Sequence, residues 1–303
     1  MENMIDFKRG KVIDIVRQYE AYTEVIVDID GNRQKAANYN ELTGEIKVGD
    51  EVILNTTAVN LELGSGGYHF VVSIGKGDFT SKHNNGHIMK LRYTPFQFSV
   101  LSAEEQNSPY HDIFKKFKSL SGMPVIIGEL HSMLLPAIFN IKQESPAINV
   151  TYIMTDGGAL PLNFSHNVAY LKQNHLIKGT ITYGQAFGGD LEAVNIYSGL
   201  LAAKTVFNPD IIIVTMGPGI VGTGTKWGFT GIEQGEILNA VATLNGKPIC
   251  VPRISFADKR ERHQGVSHHT LTVLSRVCRV NALVPLPQLW EKKLAYILGQ
   301  IRL

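Results

Sequence analysis

The sequence predicts an α/β protein in which a Rossmann-like, doubly wound, mostly parallel sheet follows a small β-barrel. Three observations carry this reading. The first part of the chain holds only short strands rich in valine and isoleucine, separated by turns. From Met123 onward, near-continuous apolar strands alternate with amphipathic helices. The chain has 303 residues, 44% of them apolar, which exceeds the usual size of one domain and supplies an ample core. Two domains are expected: a barrel over residues 1–80 and the α/β layer, carrying the candidate site, over residues 81–303.

The barrel strands are read from "KVIDIV", "TEVIVDI", "DEVILNTTAV" and "YHFVVSI", with Asp30-Gly31 as a hairpin turn. Val25, Val27 and Ile29 alternate with Glu24 and Asp28, the pattern of a strand with one wet face. "IKVGDEV" is common in small barrels of the OB, SH3-like or biotinyl-carrier kind, and the pattern fits all three. Gly64 to Gly67 read as a hairpin or bulge, because glycine inside β structure answers a backbone need.

Residues 75–90 form a polar connection that marks the domain boundary, and "HIMKLRYTP" reads as a strand. A helix is expected near "SPYHDIFKKFKSL", capped by Ser108 with Pro109 in its first position and Gly122 ending the segment. The strands that follow are "MPVIIGEL", "INVTYIMT", "TITYGQ", "DIIIVTMG", "KPICVPRIS" and a shorter "ALVPLP". Between them lie the helical patterns "PAIFNIKQ", "NVAYLKQNH", "LEAVNIYSGLLAAKTV", "GIEQGEILNAVATL" and "SHHTLTVLSRV".

Composition narrows the function classes. Net charge is only +2, with the basic residues scattered, so the footprint of a nucleic-acid binder is missing. No apolar run approaches the roughly 18 residues of a membrane span, and the first residues hold no apolar leader core, so a cytoplasmic protein without a membrane partner is expected. Cys250 and Cys278 lack the spacing of a zinc or redox pair and read as reduced core residues.

In open parallel sheets, ligands bind beyond the carboxyl ends of the strands. The residues there are Glu129 and His131; Thr155, Asp156, Gly157 and Gly158; Gln185 to Asp190; Gly217 to Thr225; and Arg253, Ser255 and Asp258. "GPGIVG", Gly217 to Gly222, matches a dinucleotide fingerprint only in form. Further glycines delay the helix that should follow at once, and Pro218 lacks an amide donor. What remains is an anion-binding nest of Gly217, Gly219, Gly222, Thr223, Gly224 and Thr225, joined by Gly188, Gly189 and Arg253. The competing reading is a loop whose glycines only permit its conformation.

Asp156, Asp190, His131, His268 and His269 are the candidates for proton transfer. Ser267 is expected to cap the helix carrying the last two, and because neighbours on a helix diverge by about 100°, only one of them is expected to reach a shared centre. Asp190 is also read as a helix cap, and Glu233, in T-x-x-E with Thr230, as part of a capping box. His131, Asp156, Asp190 and His268 or His269 are of the type that ligates zinc, manganese or iron. No short ligand motif supports a metal, so none is assigned and no cofactor is named.

The strings "IMTDGGALPL", "GQAFGGDLEAVNIYSGL", "GPGIVGTGTKWGFTGIEQGE" and "VPRISFADKRERHQGVSHHT" together resemble a bacterial family catalogued as a domain of unknown function, number 3866. The resemblance runs over most of the chain, including "GGYHFV", and carries no activity or catalytic residue with it. From the residues alone, the expectation is an enzyme, a hydrolase or group transferase, that binds a small anionic or phosphorylated metabolite. The alternative is a protein that senses such a metabolite, or a scaffold, without converting it. A homodimer is the default expectation.

Overall fold

The computed structural model describes residues 5–63, 65–75 and 85–301. Gly64 and residues 76–84, which fall in the glycine cluster and the polar connection read from the sequence, lie outside the described residues. Contacts divide the chain into two compact units, Met1–His83 and Asn84–Leu303.

The first unit is a closed barrel of β1 (Phe7–Gln18), β2 (Tyr22–Ile29), β3 (Asn32–Tyr39), β4 (Glu51–Asn55) and β5 (Tyr68–Ile74). The strand order is β1-β2-β3-β5-β4, with β3 and β5 parallel and the other pairs antiparallel. Of the three small barrels the sequence admits, this order is that of the OB type. Val12, Val25, Val27, Ile29, Ile46, Val52, Leu54 and Val71 fill it. Asp30 and Gly31 take positive φ, as a tight hairpin of this kind requires. β3 escaped the sequence reading because "NRQKAANY" is polar. Nor is Glu24 wet: it is buried, 3.2 Å from the Tyr22 hydroxyl that donates to it and 3.5 Å from Arg17 Nη1.

In the second unit a short hairpin of β6 (Ile88–Lys90) and β7 (Phe98–Val100) comes first. The main sheet holds β8 (Pro124–Gly128), β9 (Val150–Thr155), β10 (Gly179–Tyr183), β11 (Leu191–Ala193), β12 (Ile211–Met216) and β13 (Lys247–Val251). All six are parallel, in the order β11-β10-β9-β12-β8-β13. β14 (Ile254–Ser255) and β15 (Gly265–Val266) form a small antiparallel pair, and "ALVPLP" contributes only an isolated bridge from Leu283 to Ile249.

Side chains of the central strands alternate between two cores. Tyr152 and Met154 join Leu134, Ile138, Val168 and Leu171 on one face, while Ile153, Ile212 and Val214 join Leu200, Leu238 and Val241 on the other. Helices 134–144 and 166–173, which follow β8 and β9, therefore cover one face; helices 196–202 and 233–243, which flank β12, cover the other. β12 lies between β8 and β9, and its outgoing connection crosses the opposite face from theirs. Such switch points open a crevice at the carboxyl ends of the strands. Among the described residues no helix is long and apolar enough to cross a membrane.

Some helix starts differ from the sequence reading. The segment after Ser108 is helical only over His111–Lys116, with the Ser108 hydroxyl accepting from the Tyr110 amide. "LEAVNIYSGL" opens as the strand β11, and its helix starts at Ile196 under a capping box of Asn195 and Ser198. Thr230 forms no capping box; its hydroxyl accepts from the Val221 amide instead.

Lys90 fixes the β10–β11 connection. It is fully buried, with Nζ 3.1 Å from Glu192 Oε2 and donating to the carbonyls of Gly184 and Ala186 at 3.0 and 2.8 Å. Removing one partner of such a pair strands the other charge. Lys90→Met is expected to lower the unfolding free energy by about 3–5 kcal/mol in urea titration, and adding Glu192→Gln is expected to recover part of the loss.

Candidate functional site

The carboxyl end of β8 delivers Glu129, which is wholly buried rather than free in a loop. Its Oε1 accepts a hydrogen bond from His269 Nδ1 at 2.7 Å, and Thr270 Oγ1 donates to Oε2 at 3.4 Å. Gly231 makes room for the carboxylate, since a Cβ there would stand 2.6 Å from Glu129 Cγ. Phe229 closes the other side, its ring stacked on His269 with centroids 3.9 Å apart. A carboxylate only accepts, so His269 carries a proton on Nδ1; in the neutral ring the lone pair then lies on Nε2, 4.0 Å from where a Cβ of Gly222 would lie.

Ser267 caps the helix that carries this ring, accepting from the His269 amide at 3.3 Å. His268 also reaches the centre, contrary to the expectation that the helix would send only one of the pair there; the two ring centroids lie 4.3 Å apart. His263 completes a trio in which one ring nitrogen from each residue lies within 4.8 Å of the others. The ring of His263 is held at Nδ1 by the Ser267 hydroxyl at 2.8 Å and by Arg253 Nη1 at 3.2 Å. Burial first, then the charges of Arg253 and Arg260, push the His263 pKa down to about 4, and burial also lowers that of His268. Both rings are therefore neutral at pH 7. Nε2 of His268 is buried without a hydrogen-bond partner among the described residues.

Arg253 pairs through Nη2 with Asp258 at 3.1 Å, and Asp258 is held well below the usual carboxylate range chiefly by its hydrogen bonds from Arg260. Arg262 lies nearby, its Nη2 3.9 Å from where a Cβ of Gly224 would stand. This side of the rim is cationic.

A second, acidic centre forms at the end of β9. Thr155 Oγ1 donates to Glu233 Oε1 at 2.5 Å, and Gly157 lies against the same carboxyl, a Cβ there being 2.8 Å from both oxygens. Burial raises the Glu233 pKa to about 7; the charges of Asp156 and Glu236 add to the rise, against the opposing Thr155 bond. Asp156 is exposed beside it and accepts from the Gln185 amide at 2.9 Å. The pKa of Tyr183 rises well above its ordinary value through burial and the charges of Glu233, Asp156 and Glu236.

Other sequence candidates lie elsewhere or are occupied. Asp190 sits at the amino end of β10, accepting from Thr180 N and Oγ1 at 2.8 and 2.9 Å and pairing with Lys172 at 2.6 Å. The parallel strand β11 begins at the next residue, so the connection must first carry the chain back to that edge. Asp190 therefore does not meet the other candidates. Gly188 and Gly189 belong to this return, their amides bound to Glu192 Oε1 and Thr182 Oγ1 at 2.8 and 3.0 Å. His131 is a brace: Nδ1 donates to the Met216 carbonyl at 3.1 Å, the Ser165 hydroxyl contacts Nε2 at 2.6 Å, and burial lowers its pKa to about 4.

The Gly217–Thr225 loop is at the rim, yet its hydroxyls serve the loop itself. Thr223 Oγ1 donates to the Gly228 carbonyl at 2.9 Å, and Thr225 Oγ1 accepts from the Gly228 amide at 3.1 Å. Gly219 and Gly224 take positive φ, and Gly217 lies against Ala159. A separate surface groove of about 540 Å³ lies on the barrel between Arg9 and Lys11 and beside Glu51 to Ile53; none of the rim residues lines it.

His263 and Glu233 are the residues that sequence reasoning passed over. For His263 the signal was the string "HQGVSHH", in which Gly265, at φ 66°, turns the chain so that the first ring comes back to the last two. Residues 35–303 match the family model described as "Protein of unknown function (DUF3866)". No curated protein matches the chain.

Because its pKa is raised, Glu233 holds a proton in the folded state that it loses in the unfolded state between about pH 4.5 and 7. Stability therefore falls as pH rises through that window. Glu233→Gln is expected to remove this fall, which is on the order of 3 kcal/mol, when denaturant midpoints at pH 5 and pH 7.5 are compared with the parent's.

Proposed function

The chain belongs to the DUF3866 family, and we propose that it is an enzyme, a hydrolase or group transferase, acting on a small anionic metabolite at the carboxyl ends of β8, β9 and β12. The observation that carries this reading is the buried Glu129–His269 contact of 2.7 Å. A carboxylate hidden from water serves to fix one tautomer and one orientation of the ring, which leaves the Nε2 lone pair as an oriented electron donor at the rim.

The rim is polarised. Arg253 and Arg262 lie on the side of the imidazoles, where the anionic group of the substrate would dock, since a guanidinium offers a planar fork to phosphate or carboxylate. Glu233 lies on the other side with a pKa of about 7, the value that suits a group giving and regaining a proton at neutral pH. Its role is to protonate the leaving group, with Asp156 and Glu236 keeping its affinity for the proton high. The two free cysteines fit a cytoplasmic setting.

The test is to incubate the purified protein with a panel of sugar phosphates, nucleotides and small carboxylates and to follow consumption by mass spectrometry. Turnover of one class is expected, lowered roughly 100-fold or more by Glu233→Gln. In the parent the rate should decline as pH rises through about 7, as the proton donor is lost. Full turnover in Glu233→Gln would overturn the assignment of the donor. A metabolite that co-purifies and is recovered intact after long incubation would favour sensing over catalysis.

A further inference from the structure

We propose that His263, His268 and His269 hold a zinc-class transition-metal ion through three ring nitrogens, with a fourth position open to the rim. This deepens the reading above, resting on it in one respect: the lone pair of His269 is the site's electron donor, and the metal is what accepts it.

Three observations converge on this. The three nitrogens lie within 4.8 Å of one another. A tetrahedral zinc with Zn–N bonds of about 2.0–2.1 Å needs them about 3.3 Å apart, so the rings must draw together when the ion binds. Nε2 of His268 is buried and has no partner among the described residues, which costs free energy unless something occupies it. Glu129 on Nδ1 of His269 is the carboxylate–histidine arrangement that orients a ligating ring and raises its basicity. Three nitrogen ligands and an open position are the donor set of catalytic rather than structural zinc.

Arg253 sets the condition for binding. A guanidinium only donates, so its 3.2 Å contact requires a lone pair on Nδ1 of His263. If His263 ligates through Nδ1, that lone pair goes to the metal; if through Nε2, its proton moves to Nδ1, where the Ser267 hydroxyl accepts it. In both cases Arg253 must release Nδ1, while keeping Asp258 at Nη2. Arg253 thus competes with the metal for His263 and also repels it by charge.

The test titrates zinc alone into the full-length protein by calorimetry, with cobalt as a spectroscopic probe and circular dichroism as the folding control. One zinc per chain is expected, with a rise in Tm and a visible cobalt band of tetrahedral type. His263→Ala and His269→Ala should each weaken binding at least tenfold, Glu129→Gln by roughly 10- to 100-fold, and Arg253→Met should tighten it. Binding no tighter than millimolar, or equal affinity in folded His263→Ala, His269→Ala and parent protein, overturns the site. Weaker binding in Arg253→Met overturns the competition. Because every readout is taken on resting protein, a zinc result leaves the turnover assay to decide the reaction separately.

Discussion

Glu129 is an ionisable side chain with no exposed surface at the end of a central strand, and the arrangement around it exists to make that burial tolerable. An isolated carboxylate in such a place costs many kcal/mol, and a well-placed hydrogen-bond donor recovers much of that. His269 supplies the bond, Thr270 a weaker second one, Phe229 the cover and Gly231 the space. These partners come from two chain segments far beyond β8. The glycine-rich loop after β12 must therefore travel outward and return in time to place Phe229 and Gly231 over the carboxylate. Its threonine hydroxyls are spent on holding that excursion in shape. The string that looks most like a ligand cradle is in this sense the frame of the neighbouring site.

The rim separates two kinds of titration. On one side, burial beside arginines keeps imidazoles neutral; on the other, burial beside carboxylates keeps a carboxyl protonated near pH 7. Both shifts begin with desolvation, and the sign of the neighbouring charges then adds to each. β12 and its loop stand between the two sides, and Arg253 and Arg260 pair with Asp258 on their own side. A bound molecule with an anionic end and a group to be protonated would find complementary surroundings at each end.

The two fold classes and most strands were legible because their signals are local: β-branched runs, Asp-Gly turns, and apolar periods that match a parallel sheet. β3 was not, because its polar residues bury little beyond alanine. The idea of a shared rim was legible for Asp156, Gly222, Arg253, His268 and His269, which follow strand ends directly or begin the helix beside them. It failed for Asp190 because nothing local says that β11 runs parallel to β10 without a helix between them. A short return to the amino edge looks the same in sequence as a loop at the carboxyl edge. Glu233 fits a capping motif with Thr230, yet its side chain turns to Thr155, 78 residues earlier, a preference set by tertiary contact alone. His263 was hidden because it lies among charged residues in "DKRERHQG", while the residue is 2% exposed.

The position of β12 bears on how the molecule comes into being during synthesis. β8 and β9 are separated by the place β12 will fill, so the centre of the sheet stays open until residue 216 has left the ribosome. Glu129 then waits for a histidine 140 residues downstream. A nascent chain passes through a long interval with two unsatisfied strand edges and a carboxylate lacking its partner, which exposes partial chains to mispairing and aggregation. The helix that begins at His268, followed only by the helix Glu291–Ile301 among the described residues, is thus the one that closes the earliest deep polar residue of the sheet.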